Sequence, residues 1–170
     1  MLILLFPTAL AFDHGPWQQV LDAYVDASHS VDYAAAKDSE VLEAYIASLA
    51  TAPAPVGKAE TLSFWMNSYN ALTVDLVADS WPLESIRDLD EGNPWEARKF
   101  KVAGRDVTLN DIEHKILRPL GDPRIHAGVN CASRGCPPLH RKAFSEANVE
   151  AELDAASRTW ATSSGLKLDK

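Results

Sequence analysis

The pattern of apolar and polar residues places one long buried helix at the centre of this chain, from Lys58 to Ala78. Its apolar side chains point in all directions around the helix axis instead of forming one stripe. A helix that is apolar on every side is normally buried, so we expect it to form the centre of the domain. Amphipathic spacing predicts further helices around it, at residues 16–25, 41–49, 110–120 and 148–161.

A period of two predicts two extended segments. Phe100 to Leu109 alternates on both sides of Ala103-Gly104, which is typical of a β-hairpin. Residues 124–130 alternate apolar and polar side chains, which predicts a half-buried strand. We therefore expect an α+β fold, a helix-rich single domain with a buried central helix and a small antiparallel sheet.

Length, composition and net charge exclude some classes of function. The chain has 170 residues, of which 46% are hydrophobic, and this suits one domain over residues 12–170. Lys and Arg number 16 against 24 Asp and Glu, a net charge of −8. Such an acidic chain is a poor partner for nucleic acid, and it lacks the ~20 consecutive apolar residues of a membrane span.

The two ends of the chain carry signals of their own. Residues 1–11, MLILLFPTALA, are uncharged and apolar and end in Ala-x-Ala, which predicts a signal peptide without the usual basic start. We therefore expect export and a periplasmic or secreted location. The last residues, SSGLKLDK, resemble the start of a strand, so the sequence predicts a domain truncated at its C-terminus.

Two asparagines interrupt the apolar central helix. Asn67 and Asn70 are three residues apart and therefore share a face. A buried carboxamide without a partner costs about 1–3 kcal/mol, so each must find one. Either the pair ties down neighbouring loops, or it forms the polar wall of a binding pocket.

The helix at 110–120 places a carboxylate inside its apolar stripe. Glu113 lies among apolar positions, where burial raises the pKa of a carboxyl group. In the structural interpretation, Glu113 closes a capping box with Asn110 at the helix start. In the functional interpretation, Glu113 and the adjacent His114 face a cleft and take part in acid–base chemistry.

The loop CASRGCPP holds both cysteines. Cys131 follows the predicted strand and has the setting of a nucleophile, with His114 or His126 as base and Arg134 as a local positive charge. Alternatively, Cys131 and Cys136 are close enough in the chain to form a disulfide.

A metal or nucleotide cofactor is not expected. His126, Cys131, Cys136 and His140 are residue types that bind zinc, but their spacing differs from the usual zinc patterns. The sequence also lacks a Gly-rich dinucleotide motif, a P-loop and a Gly-x-Ser-x-Gly motif. We therefore predict no metal site and no cofactor.

Three blocks of sequence carry a family resemblance. They read FWMNSYNAL at 64–72, VAGRDVTLNDIEHKILR at 102–118 and DPRIHAGVNCASRGCPPL at 122–139. In order and spacing they resemble the family catalogued as domain of unknown function 547. The resemblance implies frequent export in bacteria and no settled activity. It places Asn67, Asn70, Glu113, His114, Cys131 and Cys136 at hallmark positions.

Two functional hypotheses remain open from the sequence. In the first, the protein is a thiol-dependent hydrolase or acyl-transferase, in which Cys131 attacks a carbonyl and a histidine takes its proton. In the second, it is a non-catalytic exported module with a structural Cys131–Cys136 disulfide and a pocket for a small molecule or peptide. There Asn67, Asn70, Arg134 and Cys136 are the candidate binding residues.

Overall fold

The computed structural model describes residues 11–133 and 135–162, and the fold is built around one helix. Helix α4, Lys58–Asp79, has 16 of its 22 residues buried. Its apolar side chains face every neighbouring element, as the all-round pattern predicts. The expected α+β fold with a buried central helix and a small antiparallel sheet is confirmed.

Shorter helices cover the central helix on several sides. In chain order these are α1 at Gly15–Tyr24, α2 at Tyr33–Ala36, α3 at Glu40–Ala50, α5 at Pro94–Ala97, α6 at Leu109–Asp111, α7 at Ile125–Gly128 and α8 at Val149–Thr162. Short 3₁₀ helices at Ile86–Asp88 and Asp90–Gly92 lead into α5. Within the described ranges, no helix is long and apolar enough to cross a membrane. The predicted signal peptide (except Ala11) and the C-terminal SSGLKLDK lie outside the described residues.

The sheet is the predicted hairpin. Strands β1, Phe100–Val102, and β2, Arg105–Val107, pair antiparallel with Lys101 opposite Asp106. The turn residues Ala103 and Gly104 have positive φ angles of 48° and 72°, which suit a two-residue hairpin turn. Both turn amides donate to carbonyls at the end of α3, so the hairpin is held against that helix.

The helix predicted at 110–120 forms, but its start and its geometry differ from the prediction. Thr108, not Asn110, is the N-cap, and the capping box closes through Asp111. Thr108 leaves β2 in an extended conformation, which is the backbone geometry that an N-cap requires. The predicted box between Asn110 and Glu113 is therefore wrong, and the Glu113 side chain is free for another role.

Beyond α6 the same helix widens into a π-helix, Ile112–Leu117, and then tightens into a 3₁₀ turn, Arg118–Leu120. The amide of Arg118 donates to the carbonyl of Glu113, five residues earlier. Such π segments are rare, and they occur frequently at functional sites. Gly121 ends the helix with a φ of 71°, at the predicted stop.

The strand predicted over residues 124–130 is wrong. This segment forms the short helix α7, because Asp122 begins a turn in which its carboxylate accepts from the Arg124 amide at 3.0 Å. The Arg124 guanidinium also bonds Asp122 at 2.7 Å and Asp154 of α8 at 2.7 Å, so one arginine joins the two helices. Apolar and polar residues do alternate in this segment. The buried residues of a single helical turn can show the same alternation as those of a strand.

Candidate functional site

Both central asparagines are buried and hold neighbouring backbone. Asn67 Nδ2 donates to the Phe144 carbonyl at 2.7 Å, and its Oδ1 accepts from the Phe144 amide at 3.0 Å. Asn70 Nδ2 donates to the Gly128 carbonyl at 2.8 Å, and its Oδ1 accepts from the Asn130 amide at 2.8 Å. Backbone groups therefore satisfy the hydrogen-bonding groups of both carboxamides. This agrees with the interpretation in which the two asparagines tie down neighbouring loops.

Asn130 extends this arrangement into the cysteine loop. Its Nδ2 donates to the Pro137 carbonyl at 2.7 Å, beyond the second cysteine. Its Oδ1 accepts from the Ala132 amide at 3.0 Å, beyond the first. Asn70 therefore positions Asn130, and Asn130 ties together the two ends of the loop.

Cys131 and Cys136 form a disulfide that closes the same loop. The Ser133 hydroxyl lies between them, 3.3 Å from the Cys131 sulfur and 3.4 Å from the Cys136 sulfur. Ala132 has a φ of 55°, a left-handed conformation that costs free energy for a residue with a side chain. The disulfide and the asparagine bonds together hold the loop in this conformation. Arg134, a predicted binding residue, lies outside the described residues.

A cleft of about 320 Å³ opens beside this loop. We call it the Tyr69 cleft, because Tyr69 of the central helix forms part of it. Cys131 and Ser133 line one part, and Glu113 and His114 of the π-helix line another. The cleft thus brings together Cys131, Glu113 and His114, three of the four predicted catalytic residues.

Among the described residues, the remaining lining comes from the segment around α5 and from the start of α6. It consists of Arg87, Asn93, Trp95, Glu96 and Asn110. Nearly every residue around the cleft therefore carries a hydrogen-bonding group, and Trp95 adds the largest apolar ring.

Glu113 is the most enclosed carboxylate of the Tyr69 cleft, with its side chain 20% exposed. His126, the fourth predicted catalytic residue, places Nδ1 3.5 Å from Glu113 Oε1. Arg118 approaches the same oxygen at 3.8 Å. These contacts are too long for strong hydrogen bonds, so in the described ranges the Glu113 carboxylate has Arg118 and His126 as neighbours but no close donor.

Two donors at the Tyr69 cleft have no partner in the part of the chain that the structure describes. Tyr69 is only 2% exposed, and its hydroxyl makes no hydrogen bond there. Burial, with the nearby Glu113 charge as a second cause, raises the pKa of Tyr69, so the phenol stays protonated and is a donor at neutral pH. The Trp95 Nε1 atom is enclosed and unpaired as well. An unpaired buried donor costs roughly 1–3 kcal/mol, so the enclosed Trp95 N–H favours a further partner. The Tyr69 oxygen is not fully enclosed, and the residue lines the cleft.

Three of the four residues whose types could bind zinc make other contacts. The two cysteines are in the disulfide, and His140 Nε2 lies 2.9 Å from Glu152 Oε2. Among the described residues, no group of three or more His, Cys, Asp or Glu side chains is arranged to hold a metal ion.

A second cleft, of about 440 Å³, contains none of the predicted site residues. His14 lines it, with Nδ1 2.7 Å from the Tyr45 hydroxyl. Burial lowers the pKa of His14 to about 4, so this histidine is neutral at neutral pH. Ser63 also lines this cleft and donates its hydroxyl to carbonyls of its own helix. Because these groups are already paired, this cleft is a weaker candidate than the Tyr69 cleft.

Comparison with known proteins identifies the family. Residues 53–160 match the family described as "Protein of unknown function, DUF547". The chain belongs to the DUF547 family. This DUF547 domain spans α4, the hairpin, the π-helix, the cysteine loop and most of α8, and so includes every residue that lines the Tyr69 cleft. No curated protein and no solved structure matches the chain.

Sequence reasoning missed Tyr69 and Trp95 of this DUF547 domain as site residues. Tyr69 lies in the apolar run of α4, so its side chain was expected in the core. Trp95 follows Pro94 in a loop-like segment without a recognisable motif. Only the absence of a hydrogen-bond partner for each side chain among the described residues distinguishes them from ordinary core aromatics.

Proposed function

We propose that this DUF547 domain is an exported binding module that holds a small polar ligand in the Tyr69 cleft. The observation that carries the proposal is the Tyr69 hydroxyl, a donor that has no hydrogen-bond partner in the described ranges and belongs to a residue that lines the cleft. A ligand that accepts a hydrogen bond from Tyr69 gives this hydroxyl the partner that the described part of the chain does not provide.

The disulfide supports binding more than catalysis. A cysteine in a disulfide has no thiolate, so Cys131 in this state is part of the wall of the cleft and not a nucleophile. The cross-link and the Asn130 bonds hold the loop before a ligand arrives, which lowers the entropy cost of binding. A disulfide in a small domain also favours an oxidising compartment, which agrees with export.

The test is a ligand screen by NMR on the ¹⁵N-labelled full chain. The probes are a library of small polar compounds containing neutral, anionic and cationic members. We expect at least one compound to shift the Trp95 indole N–H signal in a saturable way, with the signal assigned through Trp95→Phe. The other four of the five tryptophans serve as internal references. A library that leaves the Trp95 signal and the Ser133 amide unchanged would contradict the proposal.

A second candidate function is a thiol-dependent hydrolase or acyl-transferase that is active after the disulfide is reduced. It is favoured by the placement of Cys131 in the same cleft as His114 and Glu113, with His126 3.5 Å from the Glu113 carboxylate. There Cys131 would attack a carbonyl, a histidine would take the thiol proton, and Glu113 would orient that histidine.

This candidate predicts an activated thiol in the reduced protein. The rate of alkylation by iodoacetamide, followed by intact mass against pH, should give Cys131 an apparent pKa below the ordinary value of about 8.5. Cys136→Ser isolates Cys131 for the measurement, and Cys131→Ser gives the matched value for Cys136. Ordinary pKa values for both thiols would exclude an activated nucleophile.

A further inference from the structure

We infer that the ligand of the Tyr69 cleft is an uncharged compound rich in hydroxyl groups, of the saccharide class, and that Tyr69 and Glu113 bind one of its hydroxyls between them. This inference rests on the proposed function, since it specifies the ligand of the same site.

The first step concerns Tyr69 and Glu113. Tyr69 and Glu113 line the same cleft, yet no hydrogen bond joins them. The phenol is a donor and the carboxylate is an acceptor. A ligand group between them must therefore accept from one and donate to the other, and a hydroxyl does both through a single oxygen.

The second step concerns charge. The cleft carries the Arg87 guanidinium together with the carboxylates of Glu96 and Glu113. An anionic group beside Tyr69 would be repelled by Glu113. A cationic group would leave the Tyr69 hydroxyl without an acceptor. The mixture of donors and acceptors therefore favours a neutral ligand that offers both.

The third step concerns size and apolar surface. A cleft of about 320 Å³ is at the small end of ligand sites, which run from roughly 300 to 1,000 Å³. A peptide needs a pocket for at least one side chain, usually with apolar walls. Here the described lining consists mainly of amide, carboxylate, guanidinium, imidazole and hydroxyl groups, together with the aromatic residues Tyr69 and Trp95. This composition matches a ring with several hydroxyls better than a peptide segment.

The test uses neutral sugars and their charged analogues. The Trp95 indole signal of the full chain is titrated with glucose, galactose and maltose, then with glucuronate and glucosamine, which differ from glucose mainly in charge. The blocked dipeptide N-acetyl-Ala-Ala-N-methylamide represents the peptide class. We expect at least one neutral sugar to saturate the shift. Where glucose is that sugar, we expect both charged analogues to bind at least tenfold more weakly.

Variants test the role of the hydroxyl. Tyr69→Phe removes the donor and keeps the ring, so we expect at least a tenfold loss of affinity for the sugar that binds. Tyr33→Phe is the matched control, because Tyr33 stacks on Trp81 and does not line the cleft, and it should bind like the wild type.

The outcomes separate the two proposals. If the dipeptide or a charged probe shifts the Trp95 signal and no neutral sugar does, the ligand class is wrong and the binding site stands. If Tyr69→Phe binds the sugar as tightly as the wild type, the hydroxyl role is wrong. If neither these probes nor the wider library moves the signal, both the ligand class and the proposed function are overturned.

Discussion

Replacing Asn70 with leucine is expected to lower the free energy of unfolding by about 4 kcal/mol, measured by urea denaturation. Leucine has the same branched shape and the same number of heavy side-chain atoms but makes neither hydrogen bond. The Gly128 carbonyl and the Asn130 amide would both lose their partner in the interior. Ser68→Ala is the control on the same helix, because the Ser68 hydroxyl bonds only to the Phe64 carbonyl of that helix. It should cost about 1 kcal/mol or less.

The same variant should also loosen the cysteine loop, because Asn70 positions Asn130. We expect Asn70→Leu to speed reduction of the disulfide by dithiothreitol under native conditions. Asn67→Leu is the matched comparison, since Asn67 makes the same two kinds of bond but to Phe144, outside that loop. Equal acceleration in both variants would show that global unfolding, and not loop anchoring, controls the reduction.

Replacing Gly128 with alanine is expected to cost about 3 kcal/mol of unfolding free energy, because the added methyl group overfills the core. A Cβ at this position would lie 2.6 Å from Met66 Sδ and 3.0 Å from a methyl carbon of Leu153. Met66 and Leu153 are both 0% exposed, so neither can move away into solvent.

Gly135→Ala is the control for this substitution. Gly135 is exposed, and a Cβ there would meet no atom of the described residues within 4 Å, so the change should stay within about 0.5 kcal/mol. Met66→Val in the Gly128→Ala background should recover at least about 1 kcal/mol relative to the sum of the single changes. If the effects of the two substitutions are simply additive, the cost of Gly128→Ala does not come from the contact with Met66.

Gly128 also shows why the strand prediction was wrong. The alternation of apolar residues at 125, 127 and 129 is a local pattern, and it does not specify which partner the segment has. In the structure the segment packs on α4 and α8, and Asp122 and Arg124 provide the turn that begins α7. A strand needs a neighbour to pair with, and the described part of the chain places none beside this segment.

The sequence determined the central helix, the surrounding amphipathic helices, the hairpin and the family, because each depends on periodicity or on a motif within a short stretch of chain. It also singled out three of the residues that line the Tyr69 cleft, Glu113, His114 and Cys131. Local pattern alone left the roles of the asparagines, of Glu113 and of the cysteines open. The asparagines had two interpretations, and the cysteines were predicted to be either a nucleophile or a disulfide.

Tertiary structure decided these points. The amides of Phe144 and Asn130, far along the chain from α4, determine that Asn67 and Asn70 hold loops. Because Thr108 is extended, the capping box forms between Thr108 and Asp111, and Glu113 is left to line the cleft. Tyr69 became a site residue only because folding buries it beside Glu113 and leaves its hydroxyl without a partner in the described chain. Hydrogen-bond partners and burial depend on contacts between distant segments, which periodicity does not report.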